Sequence, residues 1–167
     1  QNYKTRVIPN KLRFRVGDPY GLRSYLVSDS RFDGVSGIRI SDADHTCELS
    51  ETWINMDIYS VSGVSMRLIE CFGLGTAVLS PVFPQRCHSP IIPDYHYVKV
   101  EFDEHNLNPS NYKKLADSYI ETFEKLKKDP DRMHYIAENA RKYYLENCTS
   151  ANYINTLNKL INLYKLS

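Results

Sequence analysis

Basic and apolar residues alternate along Lys11-Leu12-Arg13-Phe14-Arg15-Val16, the period of a strand with one solvated face. Gly17-Asp18-Pro19-Tyr20-Gly21 predicts a turn, and Leu22, Tyr25 and Leu26 fall at helical spacing in the short segment Leu22 to Val27. A second strand is expected over Phe32 to Ile40, bulged at its glycines. Ser41 to Asn55 is polar and unpatterned, and predicts a long loop with room for a helical turn. Asp57-Ile58-Tyr59-Ser60-Val61 then predicts a strand, Ser62-Gly63-Val64-Ser65 a turn, and Met66 to Gly73 a compact helix ended by Gly73 and Gly75. Thr76-Ala77-Val78-Leu79-Ser80 has the apolar run of a buried strand. Four prolines between Pro81 and Pro93 impose irregular backbone, and Tyr97 to Phe102 alternates again as a strand.

The pattern changes from Ser110 onward. Leu115, Tyr119, Ile120, Phe123 and Leu126 predict an amphipathic helix ending near Asp129-Pro130. A second helix spans Asp131 to Leu145, with Tyr135, Ile136, Ala140 and Tyr144 on one side. Ser150 is placed to cap a third, carrying Tyr153, Ile154, Leu157, Leu160, Ile161 and Tyr164. Strands that alternate with helices and then give way to helices predict an α/β domain, a Rossmann-like open parallel sheet with crossover helices and a C-terminal helical tail. The expectation is a single unit over residues 1–167, with the sheet in 1–109 and the tail in 110–167.

Composition narrows the function classes. The chain has 167 residues, 42% of them hydrophobic and 25% charged, enough for one domain with a core and too few for two ordinary ones. The formal net charge is +1, so no global field recruits nucleic acid or an anionic membrane, and any anion site must be local. No apolar run approaches the roughly 20 residues that cross a bilayer. The chain begins at Gln1 and reads as the middle of something longer, which leaves localisation open. Cys47, Cys71, Cys87 and Cys148 lie far apart with no paired spacing, which favours thiols over disulfides. His45 and Cys47 with Cys87 and His88 lack the close ligand pairs of a zinc site, so no metal and no cofactor are expected.

Two predicted strand-to-helix turns are unusual in composition. One runs Arg15-Val16-Gly17-Asp18-Pro19-Tyr20-Gly21-Leu22-Arg23, and the other Ser62-Gly63-Val64-Ser65-Met66-Arg67. Ligands of such sheets sit beyond the carboxyl ends of the strands. A helix N-terminus offers unpaired N–H groups and about half a positive charge, small residues let a phosphate approach, and an arginine can grip two of its oxygens. These residues suit a diphosphate leaving group. The same composition also describes an N-cap followed by a solvated arginine. Arg15 and Arg23 read equally well as surface charges, and Glu70 as an i,i+3 partner of Arg67.

The run from Gly63 to Leu79 resembles the second-domain signature of GT-B glycosyltransferases: a small-residue turn, an arginine-bearing helix, then Gly75-Thr76-Ala77-Val78-Leu79. In detail the chain is most similar to glycosyltransferase family 90, the protein O-glucosyltransferase and capsule-associated group. Phe14-Arg15 and Arg23 keep that family's arginine spacing, although Val16 stands where the family has glycine. Ser62 to Arg67, His96-Tyr97-Val98-Lys99-Val100 and the segment from Ile136 to Arg141 resemble later motifs, so the likeness runs from about Leu12 to Leu163.

This resemblance implies one lobe of a GT-B fold, the donor-binding half of an enzyme that transfers a sugar from a UDP-sugar to an acceptor hydroxyl on a glycan, a protein or another molecule. Arg23 and Arg67 would meet the diphosphate, with Arg15 and Gly17 beside them. Ser62, Gly63, Val64, Ser65 and Met66 would supply backbone N–H groups, and Glu70 would contact a hydroxyl or hold Arg67. The catalytic base is expected in an N-terminal lobe outside this chain, and no metal is implied. His88 and His96 are secondary candidates for touching substrate. Two other readings stand beside it: a degenerate Rossmann-like binding module, and a dinucleotide enzyme, against which no G-x-G-x-x-G follows any predicted strand.

Overall fold

Five short strands and five helices make up the described chain. The structure is a computed structural model and describes residues 12–14, 25–26, 28–34, 42–57, 64–82, 89–102 and 108–165. In order these elements are β1 (Leu12–Phe14), β2 (Phe32–Gly34), α1 (Asp42–Glu51), β3 (Ile54–Met56), α2 (Met66–Leu74), β4 (Ala77–Pro81), β5 (Val98–Val100), a 3-10 turn (Pro109–Asn111), α3 (Tyr112–Lys127), α4 (Pro130–Asn147) and α5 (Ser150–Lys165). The strands form one sheet in the order β2-β1-β3-β4-β5, and every pairing is parallel. The chain is therefore an α/β domain with a Rossmann-like parallel sheet and a helical tail, as the alternation of elements predicts. Among the described residues, no helix is long and apolar enough to cross a membrane.

Burial explains which residues became strands. β4 lies between β3 and β5 and buries all five of its residues, which is why it reads as a continuous apolar run. Its side chains serve two faces. Ala77 and Leu79 join Ile54, Met56, Val98 and Val100 under Leu115, Tyr119, Phe123 and Leu126 of α3. Val78 turns the other way, toward Leu68 and Phe72 of α2 and Leu49 of α1. α4 wraps from one face to the other, with Met133, Ile136 and Ala137 in the first cluster and Ala140 and Tyr143 in the second. Burying Val78, Leu68, Phe72 and Tyr97 together stabilises the second face by about 2 kcal/mol per large side chain.

Glycine decides how α2 ends. Gly73 lies inside the helix rather than ending it, and a Cβ there would sit 3.1 Å from the Tyr144 ring, so its absence lets α4 approach. Gly75 alone terminates the helix, with φ of 70°. Arg141 of α4 adds a guanidinium that donates to the Gly73 carbonyl at 3.2 Å.

Several boundaries differ from the sequence expectation. Residues 42–51 form α1 instead of loop; no apolar stripe announces it, since only Leu49 of that helix's described side chains is buried. Ile54–Met56 form β3 where a loop was expected; of the strand expected over Asp57 to Val61 only Asp57 is described, directly after β3, and 58–61 lie outside the described residues. β3 is held by the buried pairing of Ile54, Asn55 and Met56 with Ala77, Val78 and Leu79. Tyr135 is 52% exposed and the core stripe of α4 runs instead through Met133, Ile136, Ala137, Ala140 and Tyr143. The amino end of α5 is capped by Thr149, whose hydroxyl oxygen accepts from the Asn152 N–H, while Ser150 is already helical.

Candidate functional site

The strand order places a change of direction between β1 and β3: the chain builds outward from β1 to β2 on one side and from β3 to β5 on the other. In an open parallel sheet this is where a crevice opens beyond the carboxyl ends of the strands. β3 ends at Met56, which puts Asp57 at that edge, the first residue after the strand.

Asp57 is 4% exposed, and its backbone is fixed from two sides. Its N–H donates to the Leu79 carbonyl of β4 at 2.9 Å, and its carbonyl accepts from the Tyr119 hydroxyl of α3 at 2.6 Å. The side chain turns to the opposite face, toward α2. There Ser65 adopts an extended N-cap conformation, φ −81° and ψ 150°. Its hydroxyl oxygen accepts from the Leu68 N–H at 3.0 Å, and its proton goes to Asp57 Oδ1 at 2.6 Å. One serine thus joins the end of β3 to the start of α2.

Arg67 follows in the first turn of α2, half-buried, and its charge reaches the same carboxylate. Burial raises the Asp57 carboxyl from 3.8 to about 6, while the Ser65 hydrogen bond and Arg67 pull it back down. Cys71, one turn further along α2, is buried and its thiol is pushed up to about 12 by the same exclusion of water. Burial also raises the Tyr119 hydroxyl well above its ordinary value. Behind the site, Thr52 donates to Asn55 Oδ1 at 2.7 Å and Asn55 Nδ2 donates to the Thr76 hydroxyl at 3.0 Å. That buried network locks β3 against the loop that precedes β4.

The residues singled out from sequence divide into four groups. Ser65 and Arg67 come together, and with them a residue the sequence reasoning missed, Asp57. Val64 packs on the apolar cluster of α2, Met66 is 75% exposed, and Glu70 is exposed on α2 one turn beyond Arg67. Arg15, Gly17, Arg23, Ser62 and Gly63 lie outside the described residues, as do Cys87 and His88. The structure assigns His96 a packing role: its Nδ1 accepts from the Ile92 N–H at 2.8 Å, its ring rests against Tyr143, and burial lowers its pKa. It stands two residues before β5, on the amino side of that strand.

A polar residue directly after the short buried strand Ile54–Met56 is the signal that marks Asp57. It was hidden by assigning Asp57 to the start of a strand. Among the described residues, no group of three or more His, Cys, Asp and Glu side chains could hold a metal ion. Cys47, Cys71 and Cys148 are in no disulfide. No protein-family model matches the chain, and no curated protein matches it.

The arrangement offers backbone N–H groups at the amino end of α2, an arginine in its first turn, and a carboxyl group between them and the sheet. The first two attract a phosphate, and an ionised Asp57 repels one.

Proposed function

We propose that this chain is the donor-binding lobe of a glycosyltransferase, holding the diphosphate of a UDP-sugar at the carboxyl edge of the sheet beside β3 and α2. The observation that carries the reading is the position of the Ser65-to-Arg67 turn. It opens α2 at the edge of a parallel sheet whose strand order changes direction between β1 and β3. Arg67 and the α2 N-terminus would stabilise the charge that develops on the diphosphate as the sugar leaves. In this reading Glu70 meets a donor hydroxyl, the acceptor is a hydroxyl-bearing molecule, and a companion lobe supplies the base. The resemblance to family 90 supports the choice of a UDP-sugar over other nucleotides.

One observation favours a second reading, a binding module with no transferase activity. The α2 N-terminus already has an anion of its own in Asp57, which a diphosphate must tolerate. Calorimetric titration with UDP and with other nucleoside diphosphates, on the chain and on Arg67→Ala, separates the two. The donor-lobe reading expects selective UDP binding that weakens at least tenfold in Arg67→Ala, roughly the 1.4 kcal/mol that one charge-assisted hydrogen bond to phosphate contributes. A folded chain that binds none of these nucleotides leaves the second reading standing.

A further inference from the structure

Asp57 and an incoming phosphate compete for the same groups. Ser65 has a single hydroxyl proton and gives it to Asp57 Oδ1. Arg67 directs part of its charge to the same carboxylate. A diphosphate at the amino end of α2 would therefore meet a serine with no proton to offer and an arginine already partly neutralised. It would also meet a buried negative charge next to the helix terminus. Neutralising Asp57 removes all three obstacles: Ser65 can turn its proton to the phosphate, Arg67 regains its full charge, and the repulsion disappears.

We infer that Asp57 gates this site through its own proton: the amino end of α2 accepts a diphosphate once Asp57 is neutral, and binding draws a proton from solvent onto the Asp57 carboxylate. This inference rests on the donor-site reading given above. The environment suits it, because burial already lifts the carboxyl to about 6 before any anion arrives. A bound anion lifts it further, since proton and ligand must strengthen each other by the same factor. Among the described residues, the groups facing Asp57 do not blur the effect. Arg67 keeps its charge throughout, and the thiol of Cys71 and the hydroxyl of Tyr119 are held neutral well above physiological pH. Glu70 stands exposed on α2, one turn beyond Arg67.

The test is calorimetry of the full chain with UDP-glucose, whose diphosphate is esterified at both ends and keeps a constant charge near neutrality. Titrations at several pH values between about 5.5 and 8, each in two buffers of different ionisation enthalpy, give affinity and protons taken up together. Circular dichroism at each pH confirms that the chain is folded. The gate predicts an affinity that falls by a factor approaching 10 per pH unit above about 6, with uptake close to one proton per ligand at the alkaline end. Asp57→Asn, neutral at every pH, should bind UDP-glucose with pH-independent affinity and no proton uptake, and at about pH 7.5 more tightly than the parent chain. Binding by the parent chain that ignores pH and takes up no proton overturns the gate and leaves the donor site intact. Absence of binding in both proteins at every pH overturns the gate and the donor site alike.

Discussion

Asp57 is the residue at which stability and site chemistry pull in opposite directions. Its carboxyl is buried at the end of β3 with one serine hydroxyl and one arginine charge beside it, and burial is the larger effect. The folded state therefore holds this proton more tightly than the unfolded chain does. The contribution of Asp57 is most favourable below about pH 4 and is lost as pH rises through about 6, because the unfolded chain ionises first. A rise from 3.8 to about 6 corresponds to roughly 3 kcal/mol of stability forgone at pH 7. Asp57→Asn keeps an oxygen for Ser65 and removes the charge, so it should raise stability at pH 7 by about 1–3 kcal/mol and by little at pH 4. Urea denaturation of both proteins at the two pH values checks this, and an Asn variant less stable at pH 7 would contradict it. A residue kept at such a cost beside a helix terminus is the kind that serves a site.

At the scale of elements, α2 carries the account, and its two ends are built differently. Ser65 fixes the amino end to β3, and Gly75 with Arg141 closes the carboxyl end. Ser65→Ala should cost about 1–2 kcal/mol at pH 7, the loss of a cap plus a hydrogen bond to a buried carboxylate. The cost should shrink at pH 4, where Asp57 is largely neutral; equal costs at both pH values, read from urea midpoints, would show that Ser65 does not serve Asp57. The elements also mark how far sequence could reach. β4, α2, α3 and α4 were legible because Ala77 to Leu79, Leu68 with Phe72, and Leu115 to Leu126 carry strong apolar periods. α1 was not, since Leu49 is its one core contact among the described side chains. β3 was missed because three residues are too few for a period and Asn55 is polar. Asn55 is buried in a network with Thr52 and Thr76 that only the folded chain reveals. The candidate site shared that fate: Ser65 and Arg67 stood out in the turn, whereas Asp57 depends on where β3 stops.

For the whole molecule, the parallel order β2-β1-β3-β4-β5 determines where a ligand can sit, and among the described residues α3, α4 and α2 pack on the two faces of the sheet. α5 adds to the tail and leaves Tyr153, Ile154, Leu157 and Ile161 at the surface. The central claim is that the carboxyl edge beside β3 and α2 binds a nucleoside diphosphate. The most direct test is to follow the backbone amide resonances of the chain by NMR as UDP is added at about pH 6. The account predicts that the amides of Asp57 and of Val64 to Leu68 shift most and saturate together, with His96 and α5 unchanged. Saturable shifts centred on another part of the molecule, with Val64 to Leu68 unmoved, would contradict it.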